Sequence, residues 1–414
     1  MSLSRRNVLM GSGLALFLNA VAKGSANGAT FARDPNDPFH FSTSVGRDKS
    51  APGLLIRRFD GPAAPPASVI IPGTAERIDF HARFPNPRDP FPVNTTLKLG
   101  NGGFGLRTVD RGLMGVVPGD NDAPWHLNMI PFGVAVDGSI MDPSGPWYDG
   151  GPADPNNPFD HACTGWEYEV THPDVMALVG VPAELQGHVQ PGGLFHYHGY
   201  PSAIISVLRA RPRAGAGPLV VGYSADGFPI IDYRVAAPDG SEWVLVSGYV
   251  LREGRRRAVE GTHPAMTPPG SYDGLYVEDY EFAPDRKRSI VERALREEGQ
   301  WRAVSRQDAS SGKARLVYLD ANNALVLGDA IPAIDGYPKQ QYAYVLTPDW
   351  PRIPRRFAFE PDESFRNVIP FETKAIPALL SKIGIKVQPA RSELYANCPA
   401  TLRRIHAPFG RRPY

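Results

Sequence analysis

Apolar and polar positions alternate in short runs along much of the 414-residue chain, and turn residues separate the runs. Alternation begins at RIDFHARF, residues 77–84, where Ile78, Phe80 and Ala82 share one face of a predicted strand and His81 takes the other. Two stretches share a pattern. PFGVAVDGSIMD (131–142) and VGYSADGFPIID (221–232) each carry a Gly, three residues, an Asp-Gly pair and an apolar run ending in Asp. Asp-Gly between β-like runs predicts a tight hairpin, so two hairpins are expected, and turn chemistry alone accounts for Asp137 and Asp226. WVLVSGYVL (243–251) reads as one strong strand, and further strands are predicted at 314–319 and 341–346. Helical spacing at Ile290, Ala294 and Leu295 predicts a surface helix within 285–307, and AIPALLSKIGI (375–385) reads as a short helix. The segment from 30 to about 75 is rich in Pro and Asp with weak periodicity and is expected to be irregular. The fold class is therefore mainly β: a β-sandwich or irregular β-barrel with long loops and a few short helices.

One hairpin pattern concentrates chemistry. QGHVQPGGLFHYHGYP (186–201) sets His188, His196 and His198 around Pro-Gly-Gly. Residues two apart in a strand share a face, so His196 and His198 project together. A three-residue loop of Pro191, Gly192 and Gly193 places Gln190 opposite Leu194 and His188 opposite His196, so all three imidazoles share that face. A two-residue loop would pair His188 with Phe195 and turn it away. The first register is the expectation, with Tyr197 on the opposite, core-facing side.

Composition changes this picture in few ways. The 43 Pro and 42 Gly suit short strands and ordered loops rather than long helices. Charge is balanced, with 44 Lys and Arg against 43 Asp and Glu, so no nucleic-acid partner is expected. The run Arg255–Arg257 is read as a solvated loop. In DPNNPFDHACTGWEYEVTHP (154–173), His161 and His172 are read as surface or hydrogen-bonded residues rather than ligands, and Glu167 and Glu169 share one face, read as solvated, if WEYEV is a strand.

The N-terminus carries SRRNVL (4–9), an apolar stretch from Val8 to Leu18, and Ala20-Val21-Ala22 as a cleavage site. That order is a twin-arginine export signal, placing the mature chain in the periplasm or outside the cell. The route carries folded proteins, often with cofactor in place, and so favours a bound cofactor. No stretch is long enough for a transmembrane segment. Cys163 and Cys398, the only two cysteines, are expected to pair in that compartment; a thiolate metal ligand is the alternative.

Several ordered motifs resemble the YHYH-domain family of exported bacterial proteins. PFGVAVDGSIMDP resembles the family's upstream strand and turn, GHVQPGGLFHYHGYP its His-rich hairpin, and VGYSADGFPI its following segment. SGYVLREGRRR, PPGSYDGLYVEDYEF and YAYVLTPDWPRIPRRF continue the resemblance. Phe195 replaces the first Tyr of the motif. The family's Leu-Asp-Glu-Cys-Asn-Gly segment stands here as Leu319-Asp320-Ala321-Asn322-Asn323-Ala324, and 285–307 separates blocks that usually run closer. The expected organisation is a signal at 1–30, an irregular segment at 31–74, the YHYH domain at 75–370 and a C-terminal extension at 371–414. The resemblance implies a fold neighbourhood and a motif, not a reaction.

Three neutral imidazoles on one face suit copper or zinc, and also iron or nickel. Three protein ligands with an open position make a catalytic type of metal site. Zinc would supply hydroxide for hydrolysis with Asp226 or Glu167 as base; copper would supply oxidative chemistry. Asp226 is also the acid expected to hold the far ring nitrogen of one histidine. The competing expectation is a non-catalytic structural or surface-interaction protein whose histidines are only hydrogen-bonded. Ser202 has no nucleophile-elbow pattern around it.

Overall fold

The computed structural model describes residues 42–48, 51–60, 106–119, 130–145, 166–189 without 180, 182 and 184, 195–210, 217–259, 267–302, 304–328 and 331–367, together with strand pairs at Ala29–Thr30 and Trp125–His126. The segment expected to be a twin-arginine signal, both cysteines, the strand expected at 77–84 and the helix expected at 375–385 lie outside these residues or reach them only at Ala29–Thr30.

Eight strands form the central sheet: β1 (Gly133–Ala135), β2 (Ile140–Met141), β3 (Gly187–Val189), β4 (Phe195–Tyr197), β5 (Val220–Ser224), β6 (Pro229–Asp232), β7 (Ala324–Leu327) and β8 (Gln341–Leu346). Their order across the sheet is β7-β8-β6-β5-β1-β2-β4-β3. Both Asp-Gly hairpins form, with Gly138 at φ 86° and Gly227 at φ 91° in the turns, where an L-residue would be strained. The fold is β-rich, as its alternation implies, and among the described residues the sheets do not close into a barrel.

The sheet is an internal duplicate. Strands β1 and β5 pair antiparallel with Val134 opposite Tyr223, Gly133 opposite Ser224 and Ala135 opposite Gly222. A twofold axis through the Val134–Tyr223 pair exchanges these contacts. It also exchanges two flanking bonds, Val136 N–H to Val221 O and Ala225 N–H to Phe132 O, each 2.8 Å. On the outer side β2 pairs parallel with β4, Met141 opposite Tyr197, and β6 pairs parallel with β8, Ile230 opposite Tyr344. Each of those third strands carries an antiparallel edge strand, with Gly187 opposite Tyr197 and Ala324 opposite Tyr344. Gln186 and Asn323, one residue before each edge strand, both stand in the left-handed region at φ 55° and 56°. Their carbonyls accept the amides of His198 and Val345, at 2.7 and 3.0 Å. Tyr197 Oη donates to Asp137 Oδ2 at 2.9 Å, and Tyr344 Oη to Asp226 Oδ2 at 2.7 Å. Each hairpin thus uses its turn aspartate to pin a tyrosine of the strand beside it.

Several expectations change. The segment expected to be irregular at 31–74 contains an antiparallel hairpin, Ser42–Asp48 with Ala51–Asp60, extended by Arg107–Val109. Phe59 and Leu106 enter the main core, and the buried Arg57 bonds Asp110 at 2.8 Å. The single strand expected at 243–251 is two, Glu242–Val246 and Tyr249–Leu251, which pair with different partners. A β-carbon on Gly248 between them would stand 2.4 Å from the Phe282 ring. The helix within 285–307 ends at Glu297 and is followed by a small hairpin and a second helix, Arg306–Ser311. Its buried residues are Lys287 and Val291, while Ile290 is exposed, so the apolar stripe lies one position away from the expected one. Arg256 is not solvated. Its guanidinium is 3% exposed, bonds both carboxylate oxygens of Asp279 at 2.8 Å, and lies over the Tyr276 ring. An arginine in a basic run is drawn inside here because two acids, Asp273 and Asp279, and an aromatic face converge on it.

Candidate metal centre

Strands β3 and β4 pair with His188 opposite His196, the register that a three-residue loop gives. The side chain of His188 lies outside the described residues, so only its backbone position is placed. His196 and His198 are both buried, at 3% and 5% exposure. Their Nε2 atoms face each other at 2.8 Å, and the rings stand edge to face. One ring donates and the other accepts, so the two Nε2 atoms have opposite roles and the accepting imidazole is neutral. Two nitrogens bound to one tetrahedral zinc ion at 2.0–2.1 Å stand about 3.3 Å apart. The observed separation is about half an ångström shorter, so the two rings would have to move apart by that much to admit an ion. Among the described residues, no three His, Cys, Asp or Glu groups are arranged to hold a metal.

The twofold comparison isolates what is particular to this face. It matches His188 with Leu325, His196 with Ala343 and His198 with Val345. Ala343 and Val345 are fully buried in an apolar cluster that Leu325 packs against. The same backbone is thus filled with hydrocarbon on one side and with imidazole on the other. The ladder does not demand histidine.

The acids fall in two groups. Asp226 accepts Ser224 Oγ, Tyr344 Oη and the amides of Ala358 and Phe359. Its carboxylate serves the half of the sheet without histidines, and burial pushes its pKa up. The turn acid of the histidine half is Asp137, which holds Tyr197 and Ser139, and burial raises it to about 6. Tyr197 is core-facing, as its place in the strand implies.

Glu167 and Glu169 are not a solvated face. Glu167 Oε1 accepts the Gly145 amide at 2.6 Å and approaches Arg355 Nη1 at 3.4 Å. Burial raises it to about 7, against the pull of Arg355. Glu278 accepts the Glu167 amide at 2.8 Å and is driven well above the usual carboxylate range by burial and by Glu167. Glu169 bonds Arg355, Thr171 and the Trp350 indole; burial opposes its charge, but Arg355 and Arg352 hold it below the ordinary value. A carboxyl that titrates near neutrality is suited to proton transfer. Glu278 and Arg355 carried no signal in the sequence, because they come from segments far from the histidine hairpin.

In a comparison with known families, residues 117–289 fit the model of the YHYH protein family. This segment belongs to the YHYH family. Its match spans β1 to β6 of the central sheet, and β7 and β8 lie beyond it. The YHYH motif, here Phe195-His196-Tyr197-His198, therefore supplies the third strand of one half-sheet, next to its edge strand. Comparison with curated proteins and with solved structures returned no match. Among the described residues, no helix is long and apolar enough to cross a membrane.

Proposed function

We propose that the YHYH domain binds one transition-metal ion, copper or zinc, through His188, His196 and His198, in a protein exported by the twin-arginine route. The observation that carries the reading is the twofold contrast: equivalent positions hold Leu325, Ala343 and Val345 without loss of the strand ladder. Burying imidazoles where alkyl groups suffice costs desolvation, so the histidines are there for chemistry rather than for the sheet. The facing Nε2 atoms supply two soft-to-borderline nitrogen donors, and the backbone of His188 is in register to bring the third. Bound zinc would lower the pKa of a water, and Glu167, whose carboxyl is raised to about 7, would be the base for hydrolysis. Copper would support oxidative chemistry instead.

One observation favours a second reading. The 2.8 Å contact between His196 and His198 is itself a satisfactory hydrogen bond, and a non-catalytic β-protein needs nothing more from it. Metal analysis of protein purified from its native export route separates the two. Stoichiometric zinc or copper, lost on His196→Ala, is expected; metal-free protein that also fails to bind either ion in titration would defeat the proposal.

A further inference from the structure

The twofold comparison marks a fourth position on the histidine face. Ile140 pairs with His196 in parallel register, so the two share a face, and Asp142, two residues on, returns to it. The Asp142 amide donates to Tyr197 O at 2.9 Å, which continues the pairing past the end of β2 and sets Asp142 beside His198. The equivalent residue in the other half is Ile231, opposite Val345. Ile231, Ala343 and Val345 belong to one buried apolar cluster. In the first half the same three positions are Asp142, His196 and His198, all buried. One half of the sheet has thus exchanged a contiguous apolar patch for an acid and imidazoles.

We infer that Asp142 is the carboxylate of the histidine site, where it offsets the charge of the bound ion and orients the imidazoles. The inference rests on the metal reading above. It gives Asp142 the part expected of Asp226, whose carboxylate is committed to Tyr344. In the metal reading His188 is the third ligand, so Asp142 is a positioning residue. Its Oδ1 accepts the Ser144 amide at 3.1 Å, which fixes the side chain near the backbone. Its charge is also felt by Glu167 and by Arg355, so the acid links the histidine face to the carboxyl group near neutrality. A buried acid that compensates a metal–imidazole group is worth roughly 10- to 100-fold in affinity.

The test compares the wild-type mature chain with Asp142→Asn, Asp142→Glu and His198→Ala. Zinc and copper affinities are measured by competition with a chromogenic chelator, and the absorption of the cobalt-loaded protein reports ligand geometry. Asp142→Asn should bind about 10- to 100-fold more weakly, with a shifted cobalt band and a thermal midpoint near wild type. Asp142→Glu, which keeps the charge, should recover most of the affinity. If Asp142→Asn does not fold, Asp142→Ile, which takes the residue of the equivalent position, gives the same comparison. Unchanged affinity and spectrum on loss of the carboxylate, with binding abolished in His198→Ala, would overturn the role of Asp142 and leave the ion site standing. Absence of binding in the wild type would overturn the metal reading itself, and this inference with it.

Discussion

The double replacement His196→Ala, His198→Val transplants into the histidine strand the residues that the other half carries at the same positions. Its effect on folding and on metal binding should separate cleanly. In the metal-free protein the change removes one imidazole–imidazole hydrogen bond, worth about 1 kcal/mol net. It also removes ring volume from two sites that are 3% and 5% exposed, and incomplete collapse around them adds about 1–2 kcal/mol. A total of roughly 2–3 kcal/mol leaves a typical domain folded. Ala343 and Val345 show that this backbone accepts those side chains in a ladder of matching register. Metal binding should respond differently. Opening the 2.8 Å contact to admit an ion forfeits about 1 kcal/mol, near fivefold in affinity. Deleting both nitrogens forfeits two of three ligands, a loss well beyond the roughly 100-fold attached to an outer-sphere partner. Urea denaturation with chelator-competition titration measures both quantities. Full-affinity binding by the double variant refutes the site; an unfolded double variant refutes the claim that the ladder is indifferent to imidazole.

Four further outcomes are expected. Metal affinity should fall as pH drops through about 6.5, because protonated imidazole cannot ligate, and a flat profile from pH 8 to 5 would count against histidine ligands. Tyr197→Phe and Tyr344→Phe should each cost about 1.5–3 kcal/mol in urea denaturation, since each strips a hydrogen bond from a buried aspartate; losses under about 0.5 kcal/mol would contradict the pinning role. Gly227→Ala should destabilise by more than about 2 kcal/mol, because φ is 91° and a β-carbon would stand 1.6 Å from Val109 O; near-neutral stability would show that the 106–116 segment is not docked as described. Glu167, raised to about 7, and Glu278, driven well above the usual carboxylate range, hold protons that an unfolded chain releases near pH 4.3, so stability should decline as pH rises from about 4 to 7. Glu278→Gln should flatten that decline in denaturation midpoints, and an unaltered slope would argue against the buried carboxyl pair.

Local pattern was enough to find both Asp-Gly hairpins, the strand Gln341–Leu346, the β-rich class and the His188–His196 register. Each of these depends on residues close in sequence, where strand period and turn chemistry act directly. The likeness of the two Asp-Gly stretches was legible too, but not how their ends correspond. Asp142 and Asp232 both close an apolar run, yet the sheet matches Asp142 with Ile231, and Asp232 instead bonds Tyr200 and Arg209. Pairing between strands, not position in a run, decides which residues share a face. The partners of the acids were equally out of reach. Asp226 meets Tyr344, Glu169 meets Trp350 and Arg355, and Arg256 meets Asp279, each across a separation that no local pattern encodes. Sequence by itself determined the three histidines and the hairpin that carries them. Only the tertiary structure decided that their counterparts across a twofold axis are apolar, because that contrast exists only once β4 and β8 are laid against the two hairpins they flank.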